Sequence, residues 1–261
     1  MKNNVLKIIK VGGNIIDNPI ALKSLLKTVS TIEGPKILVH GGGKSATDLA
    51  EKMGIEVKMI EGRRLTDAAT LELITMVYAG KINKKIVAEL QALHCNAIGF
   101  TGADGNSISS QKRPTSTIDY GFVGDITNVE TSTLNLLLEQ RICAVFCAIT
   151  HDNKGQLLNT NADTIASELS IAFAKQFNVE LHYCFEKKGV LKDINDNNSV
   201  IQTITKSSYK KLLEAQLIFS GMIPKLNNCF HALEQNVSKV YIGTPEMLLD
   251  SETIFTTVTL K

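Results

Sequence analysis

The chain lacks nearly every feature that would commit it to a membrane, an export route or a polyanionic partner. No stretch approaches the roughly 18 consecutive apolar residues a bilayer-crossing helix needs. Met1 to Lys10 holds no apolar run followed by small residues, so a cytoplasmic protein is expected. Charge of one sign is also missing. Lys and Arg number 28 against 26 Asp and Glu, and a net charge of +2 provides no general attraction for nucleic acid or anionic lipid. Any anion site must be local. No low-complexity tract, fixed-period repeat or Pro/Gly/Ser linker interrupts the chain. The five cysteines, Cys95, Cys143, Cys147, Cys184 and Cys229, are odd in number and lie mostly in apolar runs, which argues against a disulfide framework. Cys143 and Cys147 share one strand face as small packing residues. His151 alone cannot complete a zinc site with them.

What is present is an ordinary globular composition, 44% hydrophobic and 21% charged over 261 residues, enough for one large α/β domain or two small ones. The order of elements is more informative. Leu6 to Val11 reads as a strand ended by Gly12-Gly13, Ile20 to Ile32 as a helix, and Lys36 to His40 as a strand ended by Gly41-Gly42-Gly43. This is a β-α-β unit. Ser45 to Met53 continues as a helix, and a long helix is expected from Thr66 to His94 with Gly80 as its weak point. After a strand from Asn96 to Phe100, the segment Gln111 to Val129 predicts a hairpin beside the main sheet. Helices at Ser132–Gln140, Ala162–Gln176, 206–219 and Met222–Gln235 then alternate with strands at Ile142–Ile149, Val179–Phe185 and Lys239–Ile242, and a final strand lies near Ile254 to Leu260. Such alternation implies right-handed crossovers, a mainly parallel sheet covered on both faces, and ligands beyond the carboxyl ends of its strands.

Polar residues and glycines gather at those ends. Gly41-Gly-Gly-Lys-Ser-Ala46 matches a relaxed dinucleotide fingerprint, with Glu56 or Glu61 as ribose acids, although one glycine pattern is weak evidence. A P-loop is excluded because its first glycine would fall at Leu38, inside the strand. A tight turn needs one or two glycines, so three favour backbone N–H groups presented to a carboxylate or phosphate at a helix N-terminus. Lys10, taken alone, reads as a surface lysine. Lys225 sits in the first turn of a helix, where the macrodipole disfavours a cation unless an anion lies close. Asn161 can cap the following helix with Asp163 as a first-turn acid, but this leaves Asn159 unexplained.

Seven segments taken together carry a resemblance: Lys10-Val-Gly-Gly13, Val39-His-Gly-Gly-Gly43, Gly62-Arg-Arg-Leu-Thr-Asp67, Ala79-Gly-Lys-Ile-Asn-Lys84, Gly121-Phe-Val-Gly-Asp125, Asn159-Thr-Asn-Ala-Asp163 and Gly221-Met-Ile-Pro-Lys225. In order and spacing the chain resembles the acetylglutamate kinase branch of the amino-acid kinase family over nearly its whole length. The resemblance implies a three-layer αβα sandwich with a central, mainly parallel open sheet. Residues 1–176 would form the acyl-amino-acid-binding half and 177–261 the nucleotide-binding half. It also implies transfer of the ATP γ-phosphoryl group to the side-chain carboxylate of N-acetyl-L-glutamate in arginine or ornithine biosynthesis. Lys10 and Lys225 would flank the transferred group, with Asp163 holding both; phosphoryl transfer asks for such positioning and charge neutralisation. Gly42, Gly43, Arg64, Asn159 and Asn161 would bind substrate. Gly12, Gly13, Glu186, Lys188, Gly189, Leu191, Phe219 and Gly221 would line the nucleotide site, the first two also giving N–H groups to phosphoryl oxygens. Mg²⁺ would arrive with ATP on phosphates and water, so no protein metal site is expected.

The chain departs from that pattern at Phe185-Glu-Lys-Lys-Gly-Val-Leu191, where relatives carry Thr/Ser-Asp-Val, and at Thr256-Thr257, where they carry Gly-Thr. Arg63 replaces an apolar residue, and it or Lys112-Arg113 could meet an extra carboxylate, making N-succinyl-L-glutamate the alternative substrate. A non-catalytic acyl-amino-acid sensor of the same fold is a further alternative, and a dinucleotide-dependent oxidoreductase a weaker one. With nine residues before Lys10 there is no room for the extra helix of the arginine-inhibited hexamers, so an arginine-insensitive homodimer joined through the long helix is expected, with small molecules rather than nucleic acid or membrane as its other partners.

Overall fold

The computed structural model describes residues 4–60, 63–115, 117–218, 220–250 and 252–261. Its strands in chain order are β1 Val5–Val11, β2 Lys36–His40, β3 Met59–Ile60, β4 Arg63–Arg64, β5 Ala97–Phe100, β6 Ile108–Lys112, β7 Gly124–Val129, β8 Cys143–Cys147, β9 Ile149–His151, β10 Leu157–Asn159, β11 Asn178–Cys184, β12 Thr203–Thr205, β13 Lys239–Gly243 and β14 Thr256–Thr259. Eight of them form one sheet in the order β12-β14-β13-β11-β1-β2-β8-β5. Only the β13–β14 pair in it is antiparallel. The helices are α1 Gly13–Ile16, α2 Pro19–Thr31, α3 Gly43–Lys52, α4 Ala68–Thr75, α5 Asn83–Ala92, α6 Ser132–Glu139, α7 Ala162–Phe173, α8 Lys206–Glu214 and α9 Ile223–Glu234.

Both faces of the sheet are covered. Lys10 of β1 reaches Asp163 of α7 on one side, whereas Lys7, three residues earlier and so on the opposite face, donates to the carbonyl of Leu248 at 2.8 Å. α7 packs with α9 against β11 and β13, and α2 packs with α5. Strands buried on both faces carry unbroken apolar runs, as in Cys143–Cys147, where all five residues are buried. The three-layer αβα architecture with a mainly parallel open sheet is therefore present.

A second sheet of four strands, β10-β9-β6-β7, stands beside the first, and in it β6 and β7 pair antiparallel as the hairpin reading requires. The run Ile142–Ile149, read as one strand, divides at Ala148: β8 stays in the main sheet and β9 joins the second. Both portions are buried, so hydrophobicity carries no mark of the change. The expected helix Thr66–His94 starts later. Thr66 bridges Gly121, Asp67 caps α4 by accepting the Thr70 N–H at 2.8 Å, and a π-helical stretch, Met76–Ile82, containing Gly80, separates α4 from α5. The helix expected over 206–219 ends at Glu214. Among the described residues no helix is long and apolar enough to cross a membrane.

Candidate active site

Three elements deliver the central charges. β1 carries Lys10 one residue before the end of the strand, α7 carries Asp163 in its first turn, and α9 carries Lys225 two residues after its start. The Lys10 ammonium lies 2.8 Å from Asp163 Oδ1 and the Lys225 ammonium donates to Oδ2 at 2.8 Å. Two cations thus share one anion. The three side chains are 13%, 13% and 18% exposed, so solvent screens them little. Burial raises the Asp163 carboxyl, but the two ammoniums outweigh it and hold this acid well below the ordinary range. Burial, reinforced by Lys225, lowers the Lys10 ammonium against the pull of Asp163. Tyr183 of β11 sits beneath this cluster. Its ring centroid lies 4.7 Å from the Lys225 nitrogen and its hydroxyl donates to the Asp163 carbonyl at 3.2 Å.

Asp163 thus answers part of the anion demand made by Lys225 at a helix N-terminus, and one positive charge remains in surplus. Chemically, two ammoniums sharing one carboxylate can stabilise a group whose negative charge grows during reaction.

The glycine loops meet the same edge. Gly13 and Gly43 each open a helix, where no carbonyl of their own helix can reach the N–H, and a Cβ on either would meet open space. Gly12 differs from expectation. Its N–H is spent on the Cys184 carbonyl at 2.8 Å, because β1 and β11 stay paired to their ends, so Gly12 allows close approach but gives no N–H to a phosphate. A Cβ on Gly42 would lie 2.4 Å from Ile82 Cδ1 and 2.9 Å from Tyr78 Cδ1. The π-helical stretch packs directly on this loop, which explains the need for glycine there.

Arg64 of β4 is 8% exposed; its Nη2 donates to the Gly43 carbonyl at 2.9 Å and to Thr47 Oγ1 at 2.8 Å. Its Nη1 is buried without a hydrogen bond, with Tyr78 lying against the guanidinium, so it is free to take an anion. Asn159 Nδ2 donates to Thr66 Oγ1 at 2.9 Å, and Asn161 Oδ1 caps α7 by accepting the Asp163 N–H at 2.7 Å. The Thr66 segment is fixed by Gly121, where φ is +73° and a Cβ would stand 2.2 Å from the Thr66 carbonyl oxygen.

The altered nucleotide segment is arranged differently. Glu186 accepts from Asn14 Nδ2 at 2.9 Å, tying this segment to the Gly12-Gly13 loop. Gly189 is a packing requirement: a Cβ would lie 2.5 Å from Thr256 Oγ1, which is buried, accepts the Val190 N–H at 2.8 Å and donates to the Ile201 carbonyl at 2.7 Å. Lys188 and Gly221 are exposed, and Leu191 is half-buried and bridged to Val200. Phe219, Gly62 and Glu61 lie outside the described residues. Glu56, the other acid of the dinucleotide reading, is exposed and paired with Lys58 at 3.2 Å. Arg63 is exposed, Lys112 stands over the Phe122 ring, and Arg113 is committed to Asp125.

Sequence reasoning missed Tyr183, Asn14 and the buried pair His40–Asn83. The only signal for the first was its register position beside Lys10.

The family profile described as Amino acid kinase family matches residues 6–244. An acetylglutamate kinase of Phocaeicola vulgatus is 56% identical over 91% of this chain and 92% of its own length. One of Cytophaga hutchinsonii is 55% identical over 94% of this chain and 93% of its own. Among solved structures, N-acetylglutamate synthase of Neisseria gonorrhoeae, complexed with coenzyme A and N-acetyl-glutamate, superposes with a TM-score of 0.82 at 18% identity over all of this chain and 60% of that one.

Proposed function

The chain belongs to the amino acid kinase family, and we propose that it phosphorylates the side-chain carboxylate of N-acetyl-L-glutamate with ATP, a step of arginine biosynthesis. The observation that carries the reading is the largely buried Lys10–Asp163–Lys225 cluster, with its surplus positive charge, on the same sheet edge as the glycine loops. A sensor that only binds an acyl-amino acid has no use for two ammoniums fixed on one carboxylate.

In this reading a carboxylate oxygen of the substrate attacks the γ-phosphorus, the bond from phosphorus to the β–γ bridging oxygen breaks, and ADP leaves with that electron pair. The nucleophile is already ionised, so no protein base is needed. Lys10 and Lys225 neutralise charge on the transferred group, and Asp163 keeps them from drifting apart. Arg64 takes the substrate α-carboxylate on Nη1, the Gly43 N–H meets substrate oxygens, and Asn159 and Asn161 hold the acyl-amino acid through the edge they share with Thr66. Gly13, Glu186, Lys188, Leu191 and Gly221 belong to the nucleotide side, within the half formed by residues 177–261 and the first loop. Asp163 is engaged by two ammoniums. Mg²⁺ would be held by the ATP phosphates and water, where it would neutralise phosphate charge.

ATP consumption with Mg²⁺ and hydroxylamine, which traps an acyl phosphate as hydroxamate, tests the proposal against N-acetyl-glutamate, N-succinyl-glutamate and glutamate. Hydroxamate from the acetyl compound is expected. Turnover of the succinyl compound alone would favour the second reading, which rests on Arg63, exposed beside Arg64. Binding without turnover would leave the sensor. A cytoplasmic homodimer joined through the 68–92 helical segment completes the proposal, and light scattering giving a hexamer, or strong inhibition by arginine, would refute it.

A further inference from the structure

Beneath the Gly41–Gly43 loop lies a chain of buried polar groups that the reaction does not touch. His40, the last residue of β2, is 0% exposed and Asn83, the first residue of α5, is 1% exposed. His40 Nδ1 lies 2.8 Å from the Gly41 carbonyl oxygen, which can only accept, so Nδ1 carries the hydrogen. Nε2 is then bare, and Asn83 Nδ2 donates to it at 3.1 Å while also donating to the Val145 carbonyl of β8 at 2.8 Å. Lys84 closes the far end by donating to Asn83 Oδ1 at 3.3 Å. The assignments agree at every link. Space for the amide exists because residue 99 of β5 is glycine: a Cβ there would stand 1.8 Å from Asn83 Oδ1.

We infer that His40 is a positioning residue, held by Asn83, which fixes the Gly41–Gly42 peptide so that the Gly42 N–H faces the substrate. The inference rests on the kinase reading for the identity of that substrate. In a planar trans peptide the C=O and N–H point in opposite directions, so a carbonyl pinned to a buried ring turns the next N–H away from the core. A loop of three glycines would otherwise sample many peptide orientations and pay for ordering on each binding event. The Nδ1–H to Gly41 bond survives protonation, but Asn83 can donate to Nε2 only while the ring is neutral, and burial pushes the ring pKa down to about 4. Asn83 meets the ring at Nε2 and is itself held by the Val145 carbonyl of β8, and among the described residues the charged group bonded to this relay is Lys84, through Asn83 Oδ1. The π-helical stretch is part of the device, because Tyr78 and Ile82 rest on Gly42 and Ile82 directly precedes Asn83.

Two variants that both remove the ring separate positioning from bulk stability. His40→Asn keeps a donor near the Nδ1 position, and His40→Gln keeps an acceptor near Nε2 but has no donor for Gly41. The two should lose similar thermal stability. His40→Gln should raise the KM for N-acetyl-glutamate or lower kcat/KM by about tenfold to a hundredfold, the cost of a loop misplaced by about 1 Å, with the KM for ATP unchanged; His40→Asn should recover most of the loss. Hydrogen exchange of the Ala46 amide, which closes the first turn of α3 on the Gly42 carbonyl, should quicken in His40→Gln more than in His40→Asn. Equal kinetics and equal exchange in the two variants would overturn the relay. A wild-type protein with no turnover would defeat the kinase reading instead, and the exchange comparison would still decide the relay.

Discussion

Asp163→Asn keeps the shape of the side chain and removes the charge that two buried ammoniums share. At 2.8 Å and an effective dielectric of about 20, each contact is worth about 6 kcal/mol of gross attraction, much of it offset by desolvation and by repulsion between the lysines. Removing one member of such a buried group costs about 3–5 kcal/mol. If about 3 kcal/mol of this is expressed in the transition state, kcat falls about 10²-fold. The KM for ATP should not rise, because the net charge of the cluster goes from +1 to +2. The pH profile is the sharper assay. Lys10 is lowered by burial and by Lys225 and raised by Asp163; without that carboxylate it falls further, and a reaction needing its charged form loses activity as pH rises through a lower value. Hydroxamate formation measured against pH should therefore show the alkaline limb of kcat/KM displaced to lower pH, with circular dichroism confirming the fold. A kcat within about threefold of wild type and an unmoved alkaline limb would show that the cluster is not catalytic.

Arg64→Gln removes the guanidinium whose Nη1 is unpartnered, and the KM for N-acetyl-glutamate should rise by about 2–4 kcal/mol equivalent, some 30-fold or more, with the KM for ATP little changed; an unchanged acyl-substrate KM would move the α-carboxylate elsewhere. Gly42→Ala should cost about 1–3 kcal/mol by urea unfolding, because its Cβ meets Ile82 Cδ1 at 2.4 Å, and Ile82→Val, which deletes that atom, should return part of the loss. For His40 the folded value of about 4 lies below the unfolded value near 6.5, so the unfolded chain binds more protons between them and stability rises with pH across that window. Acidification through it should cost up to about 3 kcal/mol, and His40→Asn should flatten this slope in unfolding experiments between pH 4 and 7. Asp163 acts at lower pH: its stabilisation is complete above the ordinary carboxylate value near 4 and is lost only as pH falls toward its depressed folded value, a loss that Asp163→Asn abolishes.

Local patterns made much of the architecture legible. Lys36–His40 is a strand with the bounds read from the sequence, ended by the Gly41–Gly43 run, and Pro19–Thr31 follows the apolar spacing of Leu22, Leu25, Leu26 and Val29. The small strands Leu157–Asn159 and Thr203–Thr205 escaped notice because three residues hold too little periodicity. Asn161 illustrates a double reading: its oxygen caps α7, as a helix-start residue should, while its place beside Asp163 puts it at the candidate site.

Residue type and order by themselves pointed to an anion at the carboxyl edge of a parallel sheet, since glycines and polar groups gather at Gly12-Gly13, Gly41–Gly43, Gly102–Gly105 and Asn159–Asp163. Which lysines meet which carboxylate was a tertiary matter. Lys10 and Lys225 are separated by most of the chain and come within reach of Asp163 only because β1 pairs with β11 and α7 packs on α9. The roles of Gly12 and Gly189 were likewise decided by neighbours distant in sequence, the Cys184 carbonyl and Thr256. Spacing along a chain fixes which face a side chain occupies; hydrogen-bond partners and charge balance depend on what the fold brings to that face.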